Sequence, residues 1–140
     1  MKPHRTGLKT FSSIVVSVPD QFFPYERDPR WKLLLLPFGL DDDDGVTVSG
    51  DTFRATFGRW SVETPLDNIA GARVTGPHRW YTAVGLRLSF SDDGLTFGTN
   101  HHRGLCIEFE SKIDRVIGLH DHSALWVSVA DPEGLAAAID

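Results

Sequence analysis

The chain has 140 residues, enough for one domain with a real core, and its 41% hydrophobic and 24% charged content is that of an ordinary globular protein. Nineteen acids against 14 bases give a formal charge of −5. That balance excludes a protein built mainly to neutralise a nucleic-acid backbone, so no nucleic-acid partner is expected. With Cys106 as its single cysteine the chain can form no internal disulfide, and the fold does not depend on an oxidising compartment.

Residues 1–10 read as a basic tail, carrying Lys2, Arg5 and Lys9. Residues 11–18 are rich in β-branched side chains and suggest an extra strand. Pro19, Pro24 and Pro29 make residues 19–30 read as loop. Together residues 1–30 form an expected N-terminal extension, ahead of a domain over residues 31–140. The apolar run Leu33-Leu34-Leu35-Leu36 is far short of the roughly 20 residues that cross a bilayer, so no transmembrane segment and a cytoplasmic location are expected. Residues 31–40 read as an apolar strand, with Pro37 placing it at an edge.

Asp41-Asp42-Asp43-Asp44-Gly45 is a turn, because like charges repel and glycine frees the backbone. Period-two alternation then recurs: Phe53, Ala55 and Phe57 face one way, and Thr52, Arg54 and Thr56 the other. Strands follow at residues 46–48, 52–57, 60–63 and 72–74, with a bend at 65–69. Residues 83–90 and 95–98 flank the turn Ser91-Asp92-Asp93-Gly94 and read as a hairpin, with Phe90 opposite Leu95 and Leu88 opposite Phe97. Residues 105–110 and 125–129 add two more strands. Asp131 then caps a helix with Pro132 in its first turn and Leu135 and Ile139 on one face.

About seven short antiparallel strands and a C-terminal helix resemble the bacterial pleckstrin-homology-like (PH-like) domains. The similarity rests on Trp60-Ser61-Val62-Glu63-Thr64-Pro65-Leu66-Asp67-Asn68-Ile69, on Gly104-Leu105-Cys106-Ile107-Glu108-Phe109, and on the passage from Leu125-Trp126-Val127 into Asp131-Pro132-Glu133. The resemblance implies a mainly β fold, a partly open antiparallel barrel plugged by its helix, and a binding role toward lipids, peptides or proteins. Fold alone does not choose among these. The sequence departs from phosphoinositide-binding members, since residues 41–44 would repel phosphate where those domains place bases.

Extending the hairpin register brings His78, Arg79, Trp80, His101, His102 and Arg103 to one end of the sheet. Two guanidiniums, three imidazoles and an indole suit an anionic group, and protonation of the imidazoles would strengthen its binding. The plain alternative is solvated loop tips with packed aromatics. His101-His102 and His120-Asp121-His122 invite a metal, but zinc needs three or four converging ligands, and the expectation is hydrated histidines with no metal and no cofactor. Cys106 lacks an evident base or cation, no phosphate-binding glycine loop occurs, and no residue signals catalysis. The sequence therefore points to a non-catalytic binding or adaptor module for a protein or small anionic ligand. Two alternatives stand beside it: a small-molecule carrier or enzyme with a lipocalin-like barrel lined by Phe53, Phe57, Phe90, Phe97 and Phe109, and a structural homo-oligomer joined through residues 11–36.

Overall fold

Side-chain alternation decides the architecture of the computed structural model, which describes residues 20–79, 83–88 and 93–140. The expectations for residues 1–19, Trp80, Tyr81 and Phe90 lie outside the described residues. The first sheet comprises β1 (Gln21–Pro24), β2 (Gly45–Ser49), β3 (Thr52–Phe57) and β4 (Trp60–Pro65), in the order β1-β2-β3-β4 and antiparallel throughout. Phe53, Ala55 and Phe57 are fully buried, as period two requires. Ser49 pairs with Thr52 and Phe57 with Trp60, leaving two-residue turns that begin with Gly50 and Gly58. Both glycines hold positive φ (59° and 63°), the backbone such tight hairpins need.

The second sheet comprises β5 (Ile69–Thr75), β6 (Gly85–Leu88), β7 (Leu95–Gly98), β8 (Gly104–Ile113) and β9 (His122–Val127), in the order β5-β8-β9-β7-β6. β9 lies between β8 and β7, antiparallel to the first and parallel to the second. This corrects the expectation of about seven strands, all antiparallel. The described residues form nine strands in two sheets, with no closed barrel among them. Leu125, Trp126 and Val127 explain the insertion, because all three are buried and a continuous apolar run suits a strand flanked on both sides. The sheets meet at one corner, where Tyr25 bridges Val129, Glu26 N–H donates to the Ser128 carbonyl (2.8 Å) and Ala130 N–H donates to the Pro24 carbonyl (2.8 Å).

Residues 21–24, read as loop, form β1. Pro24 is tolerated there because β1 is an edge strand. Residues 31–40, read as a strand, are helical: a 3₁₀ turn (Pro29–Trp31), α1 (Lys32–Leu35) and a second 3₁₀ turn (Leu36–Phe38). The Asp28 carboxylate accepts from Arg30 N–H (3.0 Å) and Pro29 opens the first turn. Leucines unbranched at Cβ fit that geometry, and Gly39 at φ 67° ends it. Only Leu35 of the four leucines is buried, while Leu33 is 82% exposed. The hairpin register also differs: Leu88 pairs with Leu95 and Leu86 with Phe97, so the β6–β7 connection is two residues longer on the β6 side while facing parity is kept.

Between the sheets Phe57 stacks on Phe97 with ring centroids 5.3 Å apart, and Tyr25 and Phe38 close on Phe57 at 5.7 and 5.5 Å. Phe57 and Phe97, considered as cavity lining, thus pack against one another. α2 (Pro132–Ile139) begins where Asp131 accepts from Gly134 N–H (3.0 Å), and buries Leu135 and Ile139 against β5 and β8. Among the described residues no helix is long and apolar enough to cross a membrane.

Candidate functional site

A buried polar hub organises one end of the molecule. Thr99, Asn100 and Ser128 are each almost completely shielded from solvent, and burial of such groups is tolerated only when they are bonded. Thr99 N–H donates to Ser128 Oγ (2.7 Å), and the two hydroxyls lie 2.9 Å apart. The Glu26 carbonyl accepts from both Thr99 Oγ1 (2.6 Å) and Asn100 Nδ2 (2.7 Å). Asn100 Oδ1 in turn accepts from His102 N–H (2.9 Å) and, more weakly, from Arg103 N–H (3.4 Å). One set of hydrogen bonds therefore shapes the turn at residues 100–103 and fastens it to the segment leaving β1.

On that platform His101 and His102 face Asp28. Asp28 Oδ2 lies 3.2 Å from His102 Nε2, and the two histidine rings are 4.4 Å apart. Arg30 Nη2 donates to Asp28 Oδ2 (2.7 Å) and reaches His102 Nε2 (3.1 Å). Trp31 stands edge-on to His101 at 5.8 Å. His78 and His101 exchange two bonds: His78 N–H to the His101 carbonyl (2.7 Å), and His101 Nδ1–H to the His78 carbonyl (2.9 Å).

Of the residues singled out from sequence, His78, His101 and His102 thus form one contiguous group. Arg103 borders it but turns its guanidinium to Glu133 at the start of α2. Arg79 lies exposed on the loop that follows β5, and Trp80 is outside the described residues. Sequence reasoning missed Asp28 and Arg30, as well as the hub beneath them. The second histidine pair differs in burial: His120 is exposed, whereas His122 is fully buried. Its Nδ1–H donates to the Asp93 carbonyl (2.8 Å) and its Nε2 accepts from Val116 N–H (3.0 Å), which commits both nitrogens of a neutral ring. Cys106 is half-buried, with Arg73 and Trp126 as its cross-strand partners.

Arg30, through its side chain first and its backbone amide second, holds the Asp28 carboxyl well below the ordinary carboxylate range. Lys112 and then Ser123 do the same for Asp93, whose Oδ2 lies 2.8 Å from Lys112 Nζ. Partial burial of the His78 ring, edge-on to Trp126 at 5.1 Å, pushes its pKa down, so it charges only at more acidic pH. A carboxylate held low in the folded state stabilises the fold above its unfolded pKa, and that contribution drains away as pH falls toward the folded value. Urea midpoints should therefore decline steadily between roughly pH 5 and pH 2, and Asp93→Asn should flatten the decline. An unchanged pH slope in Asp93→Asn would remove the Lys112 and Ser123 contacts from the account.

Next to this group, Arg27, Asp28, Lys32, Leu35, Leu36 and Leu40 line a groove of about 480 Å³. Leu35, Leu36 and Leu40 supply an apolar wall, while Arg27 and Lys32 supply positive charge and Asp28 negative. Comparison with protein-family models, with curated proteins and with solved structures finds no match to this chain.

Proposed function

We propose that this chain is a non-catalytic binding module of PH-like architecture that holds a small anionic ligand with an apolar body. The PH-like part of the reading draws support from the four-stranded antiparallel sheet facing a second sheet and from the C-terminal helix. The parallel β7–β9 pair is a departure from it.

The observation that carries the ligand class is the groove beside the histidine turn. Its volume falls in the range of small-molecule sites, and its chemistry is a leucine wall with cations at hand. Arg30 is neutralised by Asp28 and Arg103 by Glu133, whereas Lys32 makes no ion pair among the described residues. Lys32 is therefore the cation an incoming anion meets without displacing an acid. Arg27 already gives one N–H to the Asp41 carbonyl (2.6 Å), which fixes the side chain and leaves further donors. A carboxylate on Lys32 and Arg27 with its hydrocarbon on Leu35, Leu36 and Leu40 satisfies both halves of the groove.

Calorimetric titration with decanoate, and with decanol as the uncharged control, tests this. Lys32→Glu should weaken decanoate binding at least about tenfold, the size of a charge-assisted hydrogen bond, and leave decanol binding unchanged. Equal decanoate affinity in the variant and the parent, or no binding by the parent, would refute the assignment.

A further inference from the structure

We propose that Asp28, His101 and His102 form a binding site for a divalent transition-metal ion, with zinc as the reference ion. One ring nitrogen from each histidine and one carboxylate oxygen all lie within 4.8 Å of one another. The 3.2 Å between Asp28 Oδ2 and His102 Nε2 matches the edge of a tetrahedron, about 3.3 Å, drawn round an ion at ordinary zinc–ligand distances.

Tautomer chemistry supplies an independent argument. A carbonyl oxygen can only accept, so the contact from His101 Nδ1 to the His78 carbonyl places the proton on Nδ1 and leaves the Nε2 lone pair available. A backbone carbonyl behind a histidine is the usual outer support of a metal ligand. His102 Nε2 can satisfy only one of its two neighbours at a time. If Nε2 is bare, it accepts from Arg30 but faces the Asp28 oxygen as acceptor against acceptor; if it carries a proton, it donates to Asp28 but that proton crowds the Arg30 N–H. A cation bonded to both Asp28 and His102 removes the conflict. The ligands are also preset, since Asn100 fixes the turn carrying both histidines and the Glu26 carbonyl ties that turn to the segment bearing Asp28.

Arg30 holds the place of that ion. Its guanidinium lies against the same Asp28 oxygen and the same His102 nitrogen, and its side chain is 61% exposed, so it can leave for solvent when a metal arrives. Imidazole nitrogens favour zinc-like ions over magnesium or calcium. Three protein ligands leave a fourth position for water or an anion. This site adjoins the leucine-walled groove, with Asp28 at their common edge, and does not depend on a ligand there.

The test is titration of the full chain, first stripped with chelator, with zinc chloride alone. The parent protein should bind one equivalent at this site, with a cobalt substitute giving the visible absorption of a tetrahedral ion. His101→Ala and His102→Ala should each weaken binding more than about tenfold, the minimum expected for a ligand when even its outer supports are worth that much. Magnesium in excess should not compete. Because Asp28 also caps a helical turn, Arg30→Ala is the more telling variant: it keeps all three ligands and should tighten zinc up to about fivefold, the strength of a surface ion pair. Absence of stoichiometric zinc binding, binding indifferent to both histidine variants, or weaker zinc binding in folded Arg30→Ala would each overturn the proposal.

Discussion

Phe57→Ala is expected to lower the free energy of unfolding by about 3–5 kcal/mol, the usual cost of emptying a fully buried phenylalanine site. Phe57 is completely shielded, and its ring is met by Phe97 of the second sheet, by Tyr25 after β1 and by Phe38 after α1. Truncation thus removes contacts to both sheets and to the helical segment at once. Neighbours cannot easily collapse into the space, because Tyr25 is tied by its hydroxyl to the Thr56 carbonyl (2.6 Å). For a domain whose whole stability is about 5–15 kcal/mol, such a loss is severe. Urea denaturation should show a lower midpoint with an unchanged slope. A loss under about 1 kcal/mol, typical of a surface substitution, would mean that the sheets do not close on this ring.

Asn100→Ala is the second large effect, expected at about 2–3 kcal/mol because buried groups are left unpaired. The substitution removes the acceptor of His102 N–H and one of two donors to the Glu26 carbonyl. Its consequence is local as well as global. Without Asn100 the histidine turn loses its shape and one of its ties to the Asp28 segment, the Thr99 hydroxyl keeping the other, while β2, β3 and β4 keep all their ladder bonds. The variant should therefore lose zinc affinity along with stability, in contrast to Phe57→Ala, which weakens the fold and leaves the turn intact.

Much of the fold was legible because most strands alternate. Phe53, Ala55 and Phe57 gave their facing correctly, and Asp131 with Pro132 located the terminal helix where it lies. The leucine run was misread for a definite reason: four consecutive apolar residues carry neither a period of two nor one of 3.6, so strand and helix cannot be told apart by pattern. The signal that decides it sits upstream, in Asp28-Pro29, a cap followed by proline at the first helical position. Strand order was out of reach, since β9 finds its place between β7 and β8 through pairings distant in sequence.

The candidate site divides the same way. His78, His101 and His102 could be named together even though the hairpin register used was two residues off; in the structure it is the β5–β8 pairing, with Thr75 opposite Gly104, that sets His78 beside His101. Asp28 could not, for it lies 74 residues from His102 and meets it only after the sheets join at the Tyr25–Val129 corner. Thr99, Asn100 and Ser128 look like ordinary loop polar residues in the sequence. Their role exists only in burial.

Native-state hydrogen exchange at the amides of Glu26, Thr99 and His102, in the parent protein and in Asn100→Ala, tests directly whether the hub welds two distant segments into one site. All three amides have buried or hub partners. In the parent they should exchange only through openings nearly as costly as global unfolding. In Asn100→Ala the His102 amide should exchange freely while those of Phe53 and Ala55 stay protected. A parent His102 amide that exchanges as fast as an open loop would contradict the account.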